Sequence, residues 1–244
     1  MTTVNFKLIL TISLLISNVF AFERVPCDLS DVVCTTQASV NIYHNIVNGK
    51  PEFGIDRNDP LHRDTIQSIS QRLNYTLTNA YLYGLKHCAI HQLKFNMNEL
   101  TWEFYLTCPR LILEADYDIK GEIMSLNIDG NGPCRIVYDN YIIGLTGGLQ
   151  LYNGPNENSY IHVTEFKMSY LDVRGLATYQ FNNLYNSDPE RAFIMSNLLN
   201  ANWQRVTAAT QEPAMYAVFE KFIESVNKYL KHVPVKQLFA RTVL

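Results

Sequence analysis

Metal or nucleophilic chemistry in this 244-residue chain would have to come from its six histidines, five cysteines and scattered hydroxyls. The densest cluster is "HCAIH", His87 to His91. A four-residue spacing brings two imidazoles within reach of one zinc ion on a helix, where positions i and i+4 stack. This stretch reads more easily as strand, and ordinary surface or edge histidines are the better reading. The sequence contains no G-x-S-x-G elbow, no phosphate-cradling glycine loop and no H-E-x-x-H. The residues therefore call for no cofactor and no metal, and they offer no catalytic centre.

The formal charge is −3, with Lys and Arg spread along the chain, so the electrostatic footprint of a nucleic-acid binder is missing. Fifteen tyrosines, twelve phenylalanines and two tryptophans are abundant enough to stack bases, but without a basic groove that use lacks its main source of affinity. Tyr and Trp bury large apolar areas and keep a polar handle, which suits a core or the lining of a cavity.

Residues 1–21 carry one lysine, an apolar run from Leu8 to Ile16, and Val19 and Ala21 at the spacing of a small-residue cleavage site. They read as a secretory signal peptide cut after Ala21, which leaves residues 22–244 as a single domain. No later stretch reaches about eighteen uninterrupted apolar residues, so the expected product is soluble and extracellular, with no stable membrane insertion. Secretion favours disulfides. Cys27 and Cys34 are the best pair. Seven residues of continuous helix would hold them roughly 10 Å apart, beyond bridging range, so Cys27 must precede the helix on a segment folded back against it. Cys88, Cys108 and Cys134 fall at apolar positions of strand patterns and read as small buried hydrophobes rather than as half of a second bridge. Asn74-Tyr75-Thr76 is a glycosylation sequon if it faces solvent.

The elements follow from periodicity. From Asp28 to Asn48, apolar residues recur mostly at three- and four-residue steps, a short amphipathic helix stopped by Asn48-Gly49. From about Thr65 to Phe181 the period is two, and "DGNGP" at 129–133 and "NGPNENS" at 153–159 supply chain reversals, which spells an antiparallel meander of long strands. From Ser187 the period is helical again. Ser187 and Glu190 form a capping box, and the pattern runs to about Lys231, roughly forty residues, with a kink at Pro213 and an end at Val233-Pro234. A sheet with one dry face and a long helix with a wide apolar stripe combine most simply when the sheet curls around the helix.

One stretch bears on function. In "TWEFYLTCPRLILEADYDIKG", residues 101–121, the apolar stripe changes parity at Pro109. A bulge there, matched by a slip at Asp139-Asn140, bends the strands and keeps both halves of the stripe facing inward. The stripe is either a solid core or the wall of a cavity. The second reading makes Trp102, Phe104, Leu106, Leu111, Leu113, Tyr117, Ile136, Tyr138, Ile143, Leu145, Leu198, Val218 and Phe222 the candidates for contact with an apolar ligand. Near the C-terminus, Lys221, Lys228, Lys231, Lys236 and Arg241 either complement the helix dipole or form a patch that docks on a receptor or an anionic membrane.

The ordered series "GKPEFGIDRNDPL", "GLKHCAI", "CPRLILEADYDIKGEI", "GNGP", "FNNLYNSD", "NANW" and "VPVKQLF", behind the Cys27…Cys34 pair, resembles the takeout and juvenile-hormone-binding proteins, a family of secreted insect proteins. The resemblance implies an α+β fold: a long C-terminal helix wrapped by a highly curved antiparallel sheet, a short N-terminal helix, and an internal hydrophobic tunnel. It also implies a noncatalytic carrier of a small hydrophobic ligand, such as a terpenoid hormone or a fatty-acid-like molecule.

Overall fold

The computed structural model describes residues 26–154, 157–186 and 188–239. The expected signal peptide, Ser187 of the expected capping box and Arg241 lie outside them. Helix α1 (Val32–Asn48) opens at Asp31, whose carboxylate accepts from the Cys34 N–H at 2.9 Å, and ends at Gly49 with φ of +85°. The helix thus begins four residues after the periodicity places it. Seven strands follow: β1 (Leu61–Ile69), β2 (Leu73–Tyr83), β3 (Ala89–Asn96), β4 (Thr101–Ile123), β5 (Leu126–Asn153), β6 (Ser159–Val173) and β7 (Ala177–Phe181). Helices α2 (Pro189–Ala201), α3 (Trp203–Leu230) and α4 (Val235–Leu238) complete the fold.

The sheet is built on one long hairpin. β4 and β5 pair from Thr101–Gly148 to Ile123–Leu126 without a register shift, and they reverse at Met124-Ser125, both at positive φ as a two-residue hairpin turn demands. Each long strand has two shorter neighbours on its outer edge. β3 pairs the first half of β4 and β2 the second; β7 pairs the first half of β5 and β6 the second. The main path runs β1-β2-β4-β5-β6, and α3 touches both of its outermost strands, β1 and β6. Contact with both edges means that the sheet curls around the helix.

"DGNGP" is not a turn. It lies inside β5, where Gly130 holds φ of +153° and a Cβ would sit 2.9 Å from the Asn183 carbonyl oxygen. The glycine admits the segment after β7 to the face of the strand, where Gly130 and Leu184 form a bridge.

The parity change in β4 is also not a slip between partners. Cys108 faces Tyr141 and Arg110 faces Asp139 in one register, so both strands change phase together. Pro109 and Arg110 are successive exposed residues, and Asn140 across from them takes φ of +52°. The Arg110 guanidinium clamps Asp139 at 2.6 and 3.2 Å, while backbone N–H groups of Arg174 and Gly175 donate to the Asn140 and Asp139 carbonyls. This is where β3 hands over to β2 on one side and β6 takes over from β7 on the other. Phe104 and Leu106 before the break and Leu111 and Leu113 after it are all buried. True one-residue shifts occur on the outer pairings instead, between Thr78 and Tyr81, Ile90 and Gln92, Gly144 and Leu145, and Gly148 and Leu149.

Instead of one helix of forty residues there are two. The N–H and the side-chain amide of Asn202 both donate to the Leu198 carbonyl, at 3.1 and 2.8 Å, and Asn202 leaves helical geometry with φ of −117° and ψ of 31°. Asp188 is the cap residue of α2, accepting from the Arg191 N–H. Pro213 lies inside α3.

Tyrosine hydroxyls fasten helices to sheet. Tyr75 donates to the Thr210 carbonyl at 2.9 Å, Tyr141 to Gln211 Oε1 at 2.7 Å, and Tyr179 meets Thr207 Oγ1 at 2.7 Å, all on α3; Tyr43 of α1 donates to the Leu85 carbonyl at 2.7 Å. The Asn227 side chain caps both backbone groups of Val163 on β6 at 2.8 and 2.9 Å.

Cys27 is joined to Cys34, with Cα atoms 5.6 Å apart. A second disulfide joins Cys88 to Cys108, contrary to the reading of both as free hydrophobes. Register explains it: Ala89 pairs Thr107, which sets Cys88 opposite Cys108. Cys134 faces Ala115 and stays a buried free thiol, its pKa pushed up to about 12 by desolvation.

Two predictions follow from burial. Titration with a thiol reagent at pH 8 counts no reactive thiol in the native protein and one after unfolding without reductant; three would deny the second disulfide. Desolvation pushes the Tyr75 hydroxyl up to about 12, and the Tyr43, Tyr138 and Tyr141 hydroxyls upward as well. Raised acids stabilise the fold below the unfolded tyrosine value of about 10, and that stability disappears as pH climbs through the folded values. The melting temperature therefore falls steeply between about pH 10 and 12. A flat profile there would contradict the burial of these phenols.

Candidate ligand-binding site

Among the described residues, the concave side of the sheet borders a larger and a smaller cavity. The larger has a volume of about 140 Å³ and the smaller about 30 Å³. The larger is lined by α1 (Thr35, Ser39, Ile42, Tyr43), by the opening residues of β4 (Trp102, Phe104), and by Leu145 and Leu149 of β5. Ile161 and Val163 of β6 and the last two turns of α3, from Phe222 to Leu230, complete its sides. Its end is closed by Cys27 and by Leu238 and Phe239, which lie together because Cys27 and Phe239 form a bridge, with Phe239 set edge-on to Phe95 at 5.1 Å. The smaller cavity lies among Tyr75, Leu113, Tyr117, Ile136, Tyr138, Tyr179 and the first turns of α3 at Val206, Thr210 and Ala214.

The elements explain the division. On β4, β5 and α3 alike, one end lines one cavity and the other end lines the other, and the residues between are solid core: Leu106 and Leu111, Tyr141 and Ile143, Met215, Val218 and Phe219. Of the sequence candidates, Trp102, Phe104, Leu145 and Phe222 meet at the larger cavity, and Leu113, Tyr117, Ile136 and Tyr138 at the smaller. Leu106, Leu111, Ile143 and Val218 are fully buried but border neither. Leu198 is 37% exposed on α2, while Leu199 beside it is fully buried. Leu199 lies seven residues before the buried Val206, on the face that the stripe of α3 continues, whereas Leu198 lies one position off it.

The residues of α1, β3 and β6 at the larger cavity were missing from the candidates. Tyr43, Ile46, Leu93 and Val163 all stand at periodic apolar positions, but sequence alone does not say which apolar stripes share a cavity.

The other candidate features are peripheral. His91 Nε2 lies 2.8 Å from Thr107 Oγ1, and among the described residues no group of three or more His, Cys, Asp or Glu is placed to hold a metal. Asn74 is exposed at the β1–β2 hairpin and accepts from the Ser70 N–H. Of the C-terminal lysines, Lys221 pairs with Glu224 and Lys228 donates to the Gly54 carbonyl, while Lys231 and Lys236 are exposed.

The sequence profile of the haemolymph juvenile hormone binding proteins matches residues 8–240. The chain belongs to this family. Among solved structures, Takeout 1 of Epiphyas postvittana superposes with a TM-score of 0.82 at 24% identity, covering 89% of this chain and all of that one, and so shares the fold. A lipopolysaccharide binding protein overlaps 80% of this chain and 36% of its own length at 10% identity, and its TM-score of 0.35 is too low to bear on fold or function. No curated protein matches the sequence. As a member of the juvenile hormone binding protein family, the chain carries the curved antiparallel sheet, the short N-terminal helix and the long C-terminal helix that the sequence implied. Among the described residues, packed side chains lie between the larger and the smaller of the cavities described above.

Proposed function

We propose that this protein is a secreted, noncatalytic carrier that sequesters a small hydrophobic molecule, of terpenoid or fatty-acyl type, in its larger cavity. One observation carries the reading: a cavity of about 140 Å³ between α1, the sheet and α3 whose walls are almost wholly apolar. An engineered apolar cavity of about 150 Å³ is large enough for benzene, so a ring or a short branched chain fits this one unaltered. A longer chain would extend toward the smaller cavity and join the two as a tunnel, by displacing side chains such as Val218 and Ile143. Family membership supports binding of an apolar ligand. The two disulfides fit an extracellular life, and no helix among the described residues is long and apolar enough to cross a membrane.

Withdrawing ten methylenes from water contributes about 8 kcal/mol gross, against an association cost of about 4 to 15 kcal/mol. Micromolar affinity is therefore reachable only with good shape fit. Leu145→Trp, which fills the larger cavity, lowers uptake of a fluorescent apolar probe at least about tenfold and leaves the protein folded. Leu106→Trp, at a site bordering neither cavity, destabilises by about 1–3 kcal/mol through overpacking. Undiminished uptake by a folded Leu145→Trp protein would remove the larger cavity as the binding site. Mass spectrometry of an organic extract of the native protein identifies the cargo.

A further inference from the structure

The outward face of the β1–β2 hairpin carries a triplet whose two polar members neither cavity uses. Asn74, Tyr75 and Thr76 lie near the start of β2, and strand alternation sends them out, in and out. Tyr75 points inward, where it borders the smaller cavity and donates to the Thr210 carbonyl at 2.9 Å. Asn74 therefore stands on the convex side, exposed, just past the exposed tip Ser70-Gln71-Arg72. The hairpin orients its carboxamide. The Ser70 N–H donates to Asn74 Oδ1 at 2.9 Å, and because a backbone N–H can only donate, Nδ2 is the end left over. Among the described residues, no group accepts from this Nδ2. Elsewhere the chain ties such nitrogens down: Asn58 donates to the Ile46 carbonyl, Asn200 to Tyr179 and Asn227 to Val163. Across the ladder, Ile69 pairs with Asn74 and shares its face. At 83% it is the most exposed large apolar side chain among the described residues.

We propose that Asn74 is the attachment point of an N-linked glycan whose first sugar lies over Ile69. This rests on the secreted reading, because the donor, an oligosaccharide carried on a lipid diphosphate, is met in the secretory route. In the transfer, Nδ2 forms a bond to C1 of the donor's first sugar. The bond from C1 to the diphosphate oxygen breaks, the lipid diphosphate leaves with the electron pair, and one amide proton passes to a base of the transferase. The Thr76 hydroxyl completes the triplet that the transferase reads. The product keeps every bond the fold uses: Oδ1 still accepts from Ser70, and Nδ2 loses a proton that no protein group held. The glycan leaves from the convex face and obstructs neither cavity. Directly opposed residues on one face have Cβ atoms about 5 Å apart, so the C–H face of the first sugar ring reaches Ile69 and takes apolar area out of water.

The experiment expresses the full chain in insect cells and takes the protein from the medium. Digestion with an amidase specific for N-glycans, followed by peptide mass spectrometry, finds aspartate at position 74 in most molecules and asparagine never free there in the undigested control. Thr76→Ser keeps the glycan and Thr76→Ala loses it; the wild-type peptide map decides the matter if either variant fails to fold. Secreted protein with Asn74 unmodified in most molecules overturns the proposal and leaves the carrier reading intact. A chain that stays in the cytosol without glycan overturns the secreted reading and this proposal together. The contact with Ile69 is read from melting temperatures: the advantage of Thr76→Ser over Thr76→Ala narrows when Ile69→Ser is added to both. An undiminished advantage overturns that contact.

Discussion

The constraint on which the structure depends is that two very long paired strands must keep one face toward the same helix while they bend. Each strand makes a parity error at the same point, Pro109-Arg110 in one and Asp139-Asn140 in the other, and the errors cancel in the pairing. A bulge in one strand alone would shift the register and turn half of its inward stripe toward water. Proline suits the break because it has no N–H to leave unpaired, and asparagine suits it because it tolerates positive φ. The Arg110–Asp139 ion pair sits on the exposed side of the break, where solvent screens it; its role is geometric. The seam it marks separates two half-sheets, and each half-sheet encloses one of the two cavities.

Much of the architecture was legible because periodicity reports burial directly. The long alternating stripe, its change of parity and the return of helical spacing near residue 190 were visible in the chain. Features set by partners were not. "DGNGP" has the composition of a turn, yet its glycines serve close approach of a third segment, which only the folded chain reveals. The pairing of Cys88 with Cys108 needed the register of β3 against β4, and one residue of slip would have set Cys88 against a different neighbour. At the site, the candidates on β4 and β5 were inward as alternation requires, but inward is not the same as cavity-lining. Val218 and Ile143 satisfy the pattern as well as Phe222 and Leu145 do, and packing density alone separates them.

Polar groups in the interior are consistently spent on assembly. Tyrosines on the sheet reach α3 at Thr207, Thr210 and Gln211, and Asn227 returns the favour at Val163. A buried hydroxyl without a partner costs about 1–3 kcal/mol, so these bonds are needed once the phenols are inside. The same economy leaves the wall of the larger cavity almost wholly apolar. Satisfied walls do not retain water, and an apolar molecule entering them has little to displace.

The bridge between Cys27 and Phe239 joins the segment before α1 to the segment after α4 at one end of the larger cavity. In order of synthesis, that end stays open until the segment carrying Leu238 and Phe239 leaves the ribosome and lies down beside Cys27. The wall is therefore finished late, by a segment that follows the long helix. A chain shortened before Leu238 would keep the sheet, both long helices and the second disulfide and still be missing a wall.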